Sequence, residues 1–79
     1  MKTVEEKHEA KDAVRILRES LGESQKVFAS RFGMSQRGIA NYEVGHCCPK
    51  IGTARQMVAL ARELGLGYDL DVFMSRDDL

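Results

Sequence analysis

The chain is short of what secreted, membrane and enzyme sequences usually carry. It has two cysteines in 79 residues, and these are the neighbours Cys47 and Cys48, a strained pairing rather than the staple of a secreted scaffold. A reducing, cytoplasmic compartment is therefore expected. No stretch approaches the roughly 18 apolar residues of a membrane span, and the N-terminus is charged and polar where a signal peptide is apolar. No membrane partner follows from it. The length allows one modest core, because a domain of this size buries only about 60% of the surface its unfolded chain exposes. Net charge is lacking too, twelve Lys and Arg balancing twelve Asp and Glu.

Chemistry-bearing constellations are equally scarce. No nucleophile, base and orienting acid assemble from the sequence, and no glycine-rich phosphate loop follows a strand, so an enzyme is not expected. His46, Cys47 and Cys48 are consecutive, lack the spacer of zinc motifs and have no fourth ligand, His8 being far off on a polar segment. Neither a metal nor any other cofactor is expected.

The charge that is present is unevenly placed. Between residues 14 and 50, Arg15, Arg18, Lys26, Arg31, Arg37 and Lys50 stand against Glu19, Glu23 and Glu43. The acids gather at the ends, in Glu5, Glu6, Glu9 and Asp12 and again in Asp69, Asp71, Asp77 and Asp78. A basic middle between acidic flanks suits contact with a polyanion better than the neutral total implies, although a solvated surface gives the same pattern.

Five helical segments can be read, with no competing strand pattern. Ala10, Ala13, Val14, Leu17 and Leu21 recur at steps of three and four, giving a first helix that ends at Gly22. Ser24 can cap a second, with Val27, Phe28 and Phe32 as its buried stripe and Gly33 as its stop. Ser35 can cap a third, running to about Tyr42, with Ile39 and Tyr42 on its buried face. Val44 to Gly52, containing the single proline Pro49, reads as a loop. Thr53 and Gln56 resemble a capping box for a fourth helix carrying Ala54, Met57, Val58, Ala61 and Leu64, closed by Gly65 and Gly67. A last amphipathic turn has Leu70, Phe73 and Met74 on one side. The expected organisation is a flexible segment over 1–9, one domain over 10–76 and a frayed tail over 77–79.

Two short helices joined by a glycine turn form the unit that places its second helix in the major groove. Gln25, Ala29, Gly33, Ile39 and Tyr42 stand at the glutamine, small, turn-glycine, buried-aliphatic and buried-aromatic positions of that unit. Around them come Arg15-Ile16-Leu17-Arg18, Tyr42-Glu43-Val44-Gly45 with Pro49 after it, and Leu60-Ala61-Arg62-Glu63-Leu64-Gly65. Over about residues 13 to 74 the sequence resembles the Cro and phage-repressor (XRE-like) helix-turn-helix family. The resemblance implies an all-α, compact five-helix lambda-repressor-like domain with helix-turn-helix at helices 2 and 3. It also implies a sequence-specific transcriptional regulator of the repressor kind, acting on double-stranded DNA as a homodimer.

Residue roles follow from the same resemblance. Gln36, Arg37 and Asn41 correspond to base-reading positions, and the chemistry fits, since Gln and Asn pair bidentately with adenine and Arg with guanine. Gln25, Lys26, Ser35, His46 and Lys50 fall where the family touches phosphate. Arg18 and Glu43 match a structural ion pair between the first helix and the end of the third. Two departures stand out. Gly38 occupies a recognition-helix position that usually holds Thr or Ser, where either the DNA comes unusually close or the helix is softer. About three extra residues separate Pro49 from the Leu60-Ala61 match, lengthening either the fourth helix at its start or the loop before it. For assembly, Leu66, Leu70, Phe73 and Met74 offer apolar surface for pairing, Phe73 and Leu70 alternatively closing the monomer's own core. A competing reading is an antitoxin or adaptor-type module whose partner is a protein, a toxin or another regulator. It would expose an apolar patch in place of the polar face of the third helix.

Overall fold

The computed structural model describes residues 10–74, of Ala10 the backbone only. The expectations for residues 1–9, with His8, and for the tail over 77–79 lie outside that range. Five helices follow one another, α1 (Ala10–Ser20), α2 (Gln25–Ser30), α3 (Gln36–Glu43), α4 (Ile51–Glu63) and α5 (Leu70–Phe73), and the described residues contain no strand. The all-α, five-helix architecture is the one the apolar spacing implies.

Each helix contributes a narrow stripe to a single core. Ala13, Val14 and Leu17 of α1, Phe28 and Ala29 of α2, Ile39 and Tyr42 of α3, and Ala54, Met57, Val58 and Ala61 of α4 are all buried, and Phe73 of α5 is fully so. α3 packs on α2 and α1, while α5 closes the opposite side against α1 and α4. Two edge-to-face aromatic pairs knit this interior: Phe28 with Phe32 at 5.1 Å and Tyr68 with Phe73 at 5.7 Å. Such pairs add about 0.5–1.5 kcal/mol each beyond the area they bury.

One device ends four of the helices. After α2, Gly33 takes φ +67°, its N–H donates to the Ser30 carbonyl, and the Met34 N–H donates to the Ala29 carbonyl at 3.0 Å. This paired closure satisfies carbonyls that the helix leaves open and needs a left-handed residue, which glycine adopts without a Cβ penalty. Equivalent bonds follow α1, α3 and α4, where His46 N–H reaches the Asn41 carbonyl at 2.9 Å and Leu66 N–H the Ala61 carbonyl at 2.9 Å. The helices start as distinctly: Ser24 accepts from the Val27 N–H and Ser35 from the Gly38 N–H, each at 3.2 Å.

Three details depart from the sequence reading. Val27, expected in the buried stripe of α2, is 51% exposed, because the inward direction set by Phe28, Ala29 and Phe32 lies on the opposite side of this six-residue helix. α4 begins at Ile51, its N-cap being Lys50 rather than Thr53; the fully buried Pro49 leads into an extended Lys50, and Ala54 N–H closes the first turn on the Lys50 carbonyl at 2.8 Å. The extra residues thus lengthen α4 at its start. Leu64, placed on the α4 stripe, lies at the helix end and is 36% exposed. Of the apolar residues held in reserve for pairing, Phe73 is consumed by the monomer's core, and Leu66, Leu70 and Met74 pack half-buried against it.

The glycine closure after α2 generates a prediction. Gly33→Ala should destabilise the fold by about 1 kcal/mol, the cost of an L side chain in the left-handed region, even though a Cβ there meets nothing within 4 Å. Urea unfolding of both proteins measures it.

Candidate nucleic-acid interface

α3 is anchored from beneath and polar above. Ile39 is fully buried and Tyr42 nearly so. Desolvation pushes the Tyr42 phenol above its ordinary pKa, with nearby Cys47 and Cys48 adding to the effect. It stays neutral and serves as an anchor. Opposite them, Gln36 and Arg37 are exposed in the first turn and Asn41 is half-buried one turn later. Lys26 on α2, and His46 and Lys50 between α3 and α4, are exposed, while Gln25 at the start of α2 is half-buried. Ser35 is exposed too, its oxygen engaged in capping α3.

Behind this surface lies a continuous polar network. Arg18, reaching from α1, donates through Nε to Glu43 Oε2 at 2.6 Å and through Nη2 to Oε1 at 3.0 Å, a two-point pairing that fixes orientation as well as distance. A third donor, Nη1, reaches the Glu23 carbonyl at 2.9 Å, tying the α1–α2 turn into the same cluster. The pair is largely enclosed, with side chains 16% and 7% exposed. Bonding to Glu43 raises the Arg18 pKa against the opposing effect of burial. Glu43 Oε1 also accepts from Gln25 Nε2 at 3.2 Å, and Gln25 Oε1 in turn faces Gln36 Nε2 at 3.5 Å, the long limit of a hydrogen bond. On the far side of α2, Arg31 bonds Glu23 through Nε at 2.8 Å and holds that carboxyl below its ordinary value.

Neither the Gln25–Glu43 bond nor the Glu23–Arg31 pair was anticipated from the sequence. A third contact accounts for Gly38: a Cβ there would stand 2.6 Å from the terminal methyl of Met34, which lies over the bare backbone of α3. The glycine makes room for a neighbouring side chain. Among the described residues no group of His, Cys, Asp and Glu could hold a metal ion, and no helix is long and apolar enough to cross a membrane.

Two short helices, a left-handed glycine between them and an outward polar face on the second form the arrangement that a helix-turn-helix family model describes, and that model matches residues 14–70. The chain belongs to the Cro/repressor-like (XRE-type) helix-turn-helix family. No curated protein and no solved structure matches it. The family is one of DNA-binding transcription regulators, so double-stranded DNA is the partner class of this helix-turn-helix domain.

Two predictions come from the packing. Arg18→Met should cost about 3 kcal/mol, since it leaves an enclosed carboxylate without its partner, and a double-mutant cycle with Glu43→Leu should recover most of the loss. Gly38→Ala should raise stability by up to about 1 kcal/mol, because the gain in helix propensity exceeds the cost of swinging aside the end of a flexible Met34 side chain. Thermal and denaturant unfolding measure both.

Proposed function

We propose that this domain is a sequence-specific transcriptional regulator of the repressor kind, reading operator DNA in the major groove with the helix from Ser35 to Tyr42. The observation that carries the reading is the outward face of α3. Gln36 and Arg37 are exposed there, while Ile39 and Tyr42 occupy the core side. Lys26, Arg37 and Lys50 are exposed, and the carboxylate of α3, Glu43, is enclosed and neutralised by Arg18. The local field is thus more positive than the neutral total. In this reading Gln36, Arg37 and Asn41 contact base edges, whereas Gln25, Lys26, Ser35, His46 and Lys50 contact phosphates.

A helix of eight residues spans few base pairs, so selective binding calls for two copies on half-sites about one helical turn apart. We assign the domain a homodimer tightened by a palindromic site. With Phe73 buried in its own monomer, the apolar surface at and near α5 is reduced to half-buried Leu66, Leu70, Val72 and Met74, which suits a weak association that DNA completes.

A second reading, binding to a toxin or another regulator, draws on a different place. A shallow groove of about 250 Å³ between α2 and α4 is lined by Phe32, Ala59 and Leu60 with Arg31, Gln56 and Glu63. None of its lining residues belongs to α3.

Titration distinguishes the residue roles. Arg37→Ala should weaken binding to the preferred site by about 1–3 kcal/mol and relax the preference at one base pair. Lys50→Ala should weaken all duplexes alike and flatten the salt dependence by about one charge. Unchanged site preference in the alanine variants of Gln36, Arg37 and Asn41 together would overturn the base-reading assignment. In sedimentation, one protein per two-half-site duplex at saturation would overturn the dimer.

A further inference from the structure

The segment between α3 and α4 carries two nucleophilic groups that the reading of DNA leaves unused, the adjacent thiols of Cys47 and Cys48. Cys47 is exposed and Cys48 half-buried. Both lie close enough to the Tyr42 phenol to raise its pKa, after the larger effect of burial. Tyr42 is one of the two buried anchors of α3, so the thiols stand between solvent and the footing of that helix. The backbone is held on either side of them. His46 N–H donates to the Asn41 carbonyl at 2.9 Å, Pro49 is fully buried, and the Lys50 carbonyl accepts from the Ala54 N–H at 2.8 Å.

We propose that Cys47 and Cys48 form an exchange site for low-molecular-weight disulfides, and that closing the pair into a ring weakens DNA binding. The second half rests on the reading of α3 and the loop after it as the DNA-contacting surface. The thiolate of exposed Cys47 attacks one sulfur of the small disulfide and expels a thiolate, leaving a mixed disulfide. The Cys48 thiolate then attacks the Cys47 sulfur, forming the bond between the two cysteines and expelling the second thiolate. Two electrons pass from the dithiol to the small disulfide, which departs as two thiols carrying the two protons.

Adjacent residues joined by a trans peptide have Cα atoms about 3.8 Å apart, closer than the roughly 4.4 Å at which ordinary disulfides begin. The ring is therefore strained and reopens to a thiol reductant, as suits a reversible modification rather than a structural crosslink. Closure has to twist the peptide between the cysteines. With His46 bonded on one side and Pro49 buried on the other, the segment has little slack to absorb that twist. It passes to Tyr42 under α3 and to His46 and Lys50, the loop positions assigned to phosphate.

The test uses the whole chain, with oxidised glutathione as the small disulfide. Protein equilibrated in glutathione buffers of rising oxidised fraction is followed by intact mass, by thiol count and by affinity for a duplex selected from a random pool under reducing conditions. The expected product is a chain lighter by two hydrogens, with no remaining thiol and no retained glutathione. Its affinity should be lower on the order of tenfold, and excess dithiothreitol should restore it. Cys48→Ser should stop at the mixed disulfide and keep glutathione, whereas the double variant Cys47→Ser, Cys48→Ser should bind DNA equally in every buffer. Should that variant fail to fold, amide resonances of the unmodified protein decide, with shifts at Tyr42 and Lys50 expected on closure. A mixed disulfide or a crosslinked dimer as the end product would overturn the ring. A closed ring with unchanged affinity, or an equal loss in the double variant, would overturn its effect on DNA. A reduced protein that selects no duplex would remove the DNA reading and the second half of the proposal with it, while mass and thiol count decide the exchange site independently.

Discussion

The structure turns on the enclosed pairing of Arg18 with Glu43. Charges taken out of water are costly unless they are paired and fully hydrogen-bonded, and here both carboxylate oxygens and three guanidinium donors are used, with a backbone carbonyl and Gln25 completing the set. The pair joins the last turn of α1 to the last residue of α3. A short helix such as α3 has little stability of its own. Its position comes from Ile39 and Tyr42 in the core at one level and from Glu43 at the other. An apolar contact alone would let the helix rotate or slide by small amounts, whereas a two-point ionic contact resists both. A DNA-reading surface needs that resistance, because displacement by an ångström separates side chains from base edges.

The helix-turn-helix unit adds a second constraint, the close seating of α2 on α3. Ala29 of α2 is 1% exposed, and after Gly33 only two residues, Met34 and Ser35, precede α3. The same glycine closure at Gly22, Gly45 and Gly65 gives every connection in the domain a defined exit direction. A chain this small stays ordered by ending each helix with bonds that loops elsewhere leave to solvent. The core is correspondingly lean, and its largest buried side chains, Phe28, Phe73, Leu17, Ile39 and Met57, come from all five helices.

What could be read from the sequence was what is local. The stripe Ala13, Val14, Leu17, the caps Ser24 and Ser35 and the stopping glycines depend on residues within a turn or two of one another, and the structure places them as their spacing indicates. Val27 was misread because a six-residue helix is too short for periodicity to define its inward direction, which tertiary contact decides. The start of α4 was misplaced because Thr53 and Gln56 carry the chemistry of a cap, while the cap position went to Lys50 behind a buried proline, with no side-chain bond to mark it. The outward position of Gln36 and Arg37 was legible from Ile39 and Tyr42, which fix the opposite face. The link from Glu43 through Gln25 to Gln36 was not, since it joins residues 18 and 11 positions apart that meet only once α2 and α3 have packed. Nor was the seat of Met34 over Gly38, where an absent side chain leaves no pattern to read.

The central claim, that the face of α3 carried by this network is the surface that meets DNA, is tested most directly by mapping backbone amide resonances while a duplex selected from a random pool is added. The account predicts that the perturbed amides cluster at Gln25 and Lys26, from Ser35 to Asn41 and from His46 to Lys50. Perturbation centred instead on Phe32, Ala59, Leu60 and Glu63, with α3 unaffected, would contradict it.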